Sequence, residues 1–118
     1  MRNDKENIIV NKSFDFAINI IEFSEKIFEF KRSALANQIF KPGTSIGANI
    51  KESQNAESKN DFVHKLKIAA KEADETEYWL NISLESNHYP GPDEKLLLNL
   101  REIILILSKI IATTKCSS

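Results

Sequence analysis

Cysteine is almost missing from this chain of 118 residues, with Cys116 alone near the end. No intramolecular disulfide can form, which fits a reducing cytoplasm. Glycine and proline number three each, a scarcity that argues for long regular elements. No long apolar run occurs. The longest strongly apolar stretch, Ile103 to Leu107, falls far short of the ~20 residues needed to span a bilayer. Ile8 to Val10 is too short for the apolar region of a signal peptide. A charge excess of one sign is also missing, because the net charge is −1. No phosphate-binding glycine loop, zinc-type cysteine pair or nucleophile motif is present. Enzymatic activity, a cofactor and a membrane partner are therefore not expected.

The charge that is present is unevenly placed. Lys31 to Lys71 carries eight basic and three acidic residues, and the remainder eight basic and fourteen acidic. Such a split marks either a binding face or solvated helix surface. If it is a binding face, Lys41, Lys51, Lys59, Lys67 and Lys71 are the candidate phosphate contacts for RNA or DNA.

Hydrophobic periodicity predicts four helices, over about 5–31, 33–56, 59–86 and 93–114, in one domain spanning 1–118. Asn3 or Asp4 is the expected N-cap of the first. That helix shows two apolar stripes: Phe14, Ala17, Ile18, Ile21 and Phe28, and Phe16, Ile20, Phe23, Ile27 and Phe30. A monomeric surface helix needs only one. Two stripes imply burial in the domain and against another subunit, or else one wide stripe in a monomer's core. Phe23, Ile27 and Phe30 are expected as helix-packing or interface residues.

The second helix carries Leu35, Ile39, Ile46 and Ile50 on one face and concentrates small residues between Pro42 and Ser53. Glycine inside a helix costs about 1 kcal/mol, so close approach of a neighbouring helix is the expected compensation. Gly47 and Ala48 are the candidate contact points, and Asn49 beside them is either a buried amide able to fix register or a half-exposed residue. Pro42 lacks the amide that would bond the Gln38 carbonyl, so a kink or break is expected. The third helix opens on Ser58 and Asp61, which resemble a capping box. Its stripe is Phe62, Leu66, Ala69, Ala73, Thr76, Leu80 and Leu84, with Trp79 and Tyr78 off that face as packing or interface residues. Asn87 to Asp93 is the clearest loop. The fourth helix is apolar nearly all round, with Leu97, Leu100, Ile104, Leu107 and Ile111 as its main stripe. The tail from Thr113 is expected to fray.

A di-iron centre in a helical bundle needs Glu-x-x-His on two facing helices. Glu85…His88 has the spacing and Asp61…His64 resembles it, but both lie on one predicted helix, so no metal site is expected. Lys71, Glu72 and Glu75 have only the spacing that any exposed helix face produces.

The segment Gln-Ile-Phe-Lys-Pro-Gly-Thr-Ser-Ile-Gly-Ala-Asn-Ile-Lys-Glu, from Gln38 to Glu52, resembles the four-helix-bundle proteins of the 23S rRNA-intervening-sequence family. It also resembles their relatives, the accessory variability proteins of diversity-generating retroelements. The likeness continues from Asp61 through Tyr78, Trp79 and Leu80 and covers about Phe14 to Leu107. It implies an all-α, antiparallel up-down-up-down four-helix bundle assembled as a homopentameric ring. The retroelement branch implies binding to a reverse transcriptase and nucleic acid through a basic surface, a pattern from which the net charge of −1 departs. Pro42 stands where the family usually has a residue compatible with unbroken helix. The reading that results is a non-enzymatic oligomeric scaffold for RNA, DNA or a nucleic-acid-associated protein. The alternatives are a protein-interaction module without nucleic-acid contact and, more remotely, a metal-dependent enzyme.

Overall fold

The computed structural model describes residues 4–86 and 90–116. Asn3, one of the two expected caps, and 87–89 of the loop expected at Asn87 to Asp93 lie outside these residues. Four helices form: α1 Asp4–Glu29, α2 Ser33–Ser53, α3 Lys59–Glu85 and α4 Glu94–Cys116. No strand occurs among the described residues. Each helix neighbours the next in sequence, and α1 also neighbours α4, while α1–α3 and α2–α4 stand diagonally across the core, with no Cα atoms within 8 Å among the described residues. The four therefore surround one core, and the chain measures 50 × 21 × 19 Å.

The core follows alternating spacings of three and four, the rule by which one helix face is kept inward. In α1 it is Ile9, Phe16, Ile20, Phe23 and Ile27, and in α2 it is Leu35, Ile39, Ile46 and Ile50. Phe23 and Ile27 thus pack in the chain's own core, as helix-packing residues. Alpha-3 contributes Leu66, Ala69, Ala73, Thr76 and Leu80. Leu84, expected in that row, is exposed, and Val63 and Ser83 are buried instead. The thin residues of α3 leave room for the bulk of its neighbours. Alpha-4 buries Leu96, Leu100, Ile103, Leu107 and Ile110. The expected stripe shared only Leu100 and Leu107 with this set. The helix is turned by about 60° from the expected phase, because its apolar residues allow either phase.

Helix ends explain further differences. Alpha-1 stops at Glu29 and not at Lys31, because Lys31 takes a positive φ of 61°. That left-handed conformation usually belongs to glycine. It makes the glycine-free turn into α2, closed by the Phe30 amide on the Ile27 carbonyl and the Lys31 amide on the Phe28 carbonyl. Phe30 therefore falls past the helix and is 57% exposed, outside the stripe assigned to it. Alpha-2 ends at Ser53, three residues early, and 54–56 turn toward α3 through the Asn55 and Ala56 amides. Ser58 caps α3, its Oγ accepting from the Asp61 amide at 3.0 Å, while the Asp61 carboxylate accepts from the Glu57 amide at 3.1 Å. Asp93 caps α4 through the Leu96 amide at 2.8 Å. Alpha-4 remains helical to Cys116, beyond the expected fraying point.

Pro42 lies inside α2 without breaking it. Its ring is buried, and Gln38, whose carbonyl loses its amide partner, is on the exposed side where water can reach it. The expected close approach is real and includes Gly43. A Cβ at Gly43 would meet Ile20 Cγ2 at 2.6 Å, and one at Gly47 would meet the Ser13 carbonyl oxygen at 3.2 Å. Ala48 is exposed and makes no such contact. Asn49 is half-buried and donates to the Ser45 carbonyl of its own helix at 2.9 Å, so it does not fix register between helices. Trp79 packs partly buried against the core, donates to Glu75 at 3.3 Å and meets Tyr78 edge-on.

Candidate nucleic-acid interface

The N-terminal turn of α3 and the last turn of α4 share a groove of about 450 Å³. Its walls are Lys59, Asn60, Val63, His64, Lys67 and Lys115. The spacing follows from the helix: Lys59, Val63 and Lys67 recur every four residues along one side of α3. Lys115 arrives from the far end of the chain. Among the described residues no carboxylate lines this groove. The nearest acid in sequence, Asp61, is turned to the cap of α3. Three ammonium groups and an imidazole beside a helix N-terminus favour an anion.

Two of the five lysines expected to contact phosphate, Lys59 and Lys67, are in this groove. Lys41, Lys51 and Lys71 are exposed but do not line it. Lys71 lies close enough to Glu72 to stabilise its carboxylate, against a pKa raised by burial and by Glu75. Lys65 is taken up by Glu52 at 2.9 Å, and the hydrogen bond and charge of that carboxylate raise the lysine's pKa. The basic segment therefore does not form one continuous face. Lys115 was not among the candidates, although a lysine in the last turn of a predicted helix is a signal that could have raised it.

Other grooves differ in kind. One of about 490 Å³ between α1 and α4 balances Lys26 and Lys95 against Glu22 and Asp93. A smaller neighbour mixes Asp15, Ile18, Asn19, Lys95 and Asn99. No cluster of three or more metal-ligating side chains occurs among the described residues. Asp61 serves the helix cap, and His88 lies outside them. No helix among the described residues is long and apolar enough to cross a membrane.

The family model for the 23S rRNA-intervening sequence protein matches residues 5–110. The chain belongs to that family. A solved structure of a protein with unknown function from the S23 ribosomal protein family, from Bacteroides thetaiotaomicron, is 39% identical with a TM-score of 0.87. The match covers 92% of this chain and 98% of that one. None of the curated proteins matches the chain. Family and all-α fold thus agree with the likeness of Gln38 to Glu52 to the intervening-sequence family.

Proposed function

We propose that this protein is a non-enzymatic, oligomeric four-helix-bundle scaffold that binds RNA, or DNA, through the groove of Lys59, Lys67 and Lys115. The observation that carries this reading is a groove lined, among the described residues, by three lysines and no carboxylate in a chain of net charge −1. Gly47 against Ser13, Gly43 against Ile20 and the Lys65–Glu52 pair support an antiparallel up-down-up-down path. A homopentameric ring is the assembly implied by the family resemblance. In a ring the groove repeats in every subunit, and weak contacts add through effective concentration. A nucleic-acid-associated protein such as a reverse transcriptase is the partner implied by the likeness to retroelement accessory proteins.

The test is binding of a single-stranded RNA across a salt series. Three phosphate contacts give a slope of log affinity against log salt of about −2 per subunit. Lys67→Glu with Lys115→Glu should reduce affinity and flatten that slope. Unchanged binding would refute the groove. The alternative, a protein-interaction module, is favoured by the exposed apolar side chains of α1. Capture of a partner from lysate with and without nuclease separates the two, because a protein partner survives nuclease.

A further inference from the structure

Lys31 is the one residue with a positive φ among the described residues, at 61°. Glycine takes this conformation freely, whereas a residue with a side chain takes it at a cost. Such strain persists where the surrounding structure over-determines it, and it clusters at functional sites. The turn from α1 to α2 does need a left-handed residue here, because the Phe30 and Lys31 amides close it on the Ile27 and Phe28 carbonyls. It does not need a lysine. Glycine would close the same turn without strain, so what the chain gains at this position is the ammonium group.

Lys31 is exposed and in no ion pair among the described residues. The same turn throws Phe30 outward, and its ring meets no other aromatic ring among the described residues. One exposed phenylalanine needs no explanation by itself. Its surroundings do. From Phe30 to Lys51 the chain holds four cations, Lys31, Arg32, Lys41 and Lys51, and no carboxylate. All four are exposed. Glu29, before Phe30, is the nearest carboxylate in sequence, and Lys31 and Arg32 outweigh it. Ordinary solvated surface intersperses both signs. An open ring beside cations along an acid-free run suits a polyanion with flat apolar faces, which describes a single strand of nucleic acid.

We infer that the α1–α2 turn stacks a base of single-stranded nucleic acid on Phe30 and meets the neighbouring phosphates with Lys31 and Arg32. The inference rests on the nucleic-acid reading above and deepens it in two ways. It adds a stacking contact to the lysine groove, whose lining holds no phenylalanine, tyrosine or tryptophan among the described residues. It also names the form bound, because a base becomes available to an aromatic side chain when it is unpaired and unstacked. The turn and the groove lie at the two ends of α2, whose 21 residues span about 30 Å. A strand of several nucleotides covers that distance. Lys41 and Lys51, exposed along α2, stand between the two contacts.

The experiment is fluorescence anisotropy of a labelled single-stranded RNA with the full chain and with Phe30→Ala, Phe30→Leu, Phe30→Tyr and Lys31→Gly. Both positions are exposed, so circular dichroism should show unchanged helix content. Stacking on one ring is worth a factor of about 5–150 in affinity by alanine substitution. Phe30→Ala and Phe30→Leu should therefore weaken binding about tenfold, while Phe30→Tyr keeps it; leucine is the control for plain apolar contact. A duplex of the same sequence, or a strand of abasic nucleotides, should bind wild type and Phe30→Ala alike. Lys31→Gly should raise Tm, because the strain is gone, yet weaken binding. It should also flatten the slope of log affinity against log salt by about 0.7, the share of one phosphate contact. If Phe30→Ala and Lys31→Gly bind the RNA as the wild type does, while Lys67→Glu with Lys115→Glu does not, the turn is no contact and the groove reading stands. If Phe30→Leu binds like wild type, or the loss in Phe30→Ala persists on the abasic strand, the ring touches no base and stacking is wrong. A wild type that binds no RNA overturns both readings.

Discussion

Replacing Gly43 by alanine should destabilise the protein, although alanine is the better helix former. Alanine in a helix interior gains about 1 kcal/mol over glycine. At this position the new Cβ would stand 2.6 Å from Ile20 Cγ2 and 3.0 Å from Cγ1. Ile20 is fully buried and branched at Cβ, so it has no free rotamer to retreat into. Forcing a methyl group into such a site costs typically ~1–3 kcal/mol. The net effect is a loss of about 1 kcal/mol, or roughly 4 °C in Tm for a domain of this size. The decisive comparison is the same change in an Ile20→Ala background. Ile20→Ala alone opens a cavity and costs about 2–5 kcal/mol. There both γ carbons are gone and only the Cβ of residue 20 remains, at 3.3 Å, a contact the emptied site can relax, so Gly43→Ala should instead stabilise by up to about 1 kcal/mol. The sign of the substitution therefore inverts, with a coupling of about 2 kcal/mol. Thermal unfolding of the four proteins at one fixed concentration measures this, since association adds to apparent stability. If Gly43→Ala raises Tm in the wild-type background, α1 and α2 are not in the close contact described.

Leu100→Ala should cost about 2–5 kcal/mol as a fully buried truncation, while Leu97→Ala, on the partly buried flank, should cost less than half as much. Equal losses in urea unfolding would refute the phase of α4. Glu72→Gln should stabilise the protein at neutral pH. Burial and Glu75 raise the carboxyl's pKa in the folded state, so the native state binds the proton more readily than the unfolded chain. Stability contributed by this group is therefore greatest at low pH and falls as pH rises from the ordinary carboxylate range through the raised folded value. The advantage of the glutamine should vanish on acidification below the ordinary range. An advantage that grew instead would reverse the sign of the shift.

The sequence was most legible where one phase of the hydrophobic pattern excluded the others. Leu35, Ile39, Ile46 and Ile50 are interrupted by polar residues, so only one face of α2 could turn inward, and all four are buried. Alpha-4 offered no such discrimination, because leucine and isoleucine occupy adjacent phases and the neighbouring helices choose between them. Phe30 was misplaced for a backbone reason. Lys31 closes the turn in a conformation that no glycine announced. Asn49 showed that an amide in a helix can satisfy itself on the carbonyl four residues back, without reaching a neighbour. The candidate site was half legible. Lys59 and Lys67 follow from helical spacing, but Lys115 joins them only because the end of α4 lies beside the start of α3.

The two proposed roles place different demands on the same small fold, and the residues divide accordingly. The core takes Phe16, Ile20, Phe23 and Ile27 from α1, so Phe14, Ile18, Ile21 and Phe28 serve nothing inside the chain. Apolar side chains of that size in water favour association where they form one patch. Alpha-4 joins both roles. Its outer leucines, Leu98 and Leu105, are exposed, and its last turn presents Lys115 to the basic groove. From Leu105 to Lys115 is ten residues, about 15 Å along the helix. An exposed leucine of α4 therefore lies close to the basic groove. The net charge of −1 bears on the same point. A single subunit attracts a polyanion only locally, through three lysines, so useful affinity depends on several grooves acting together. In this reading assembly is the source of nucleic-acid affinity, and the apolar stripe of α1 matters to binding as much as the lysines do.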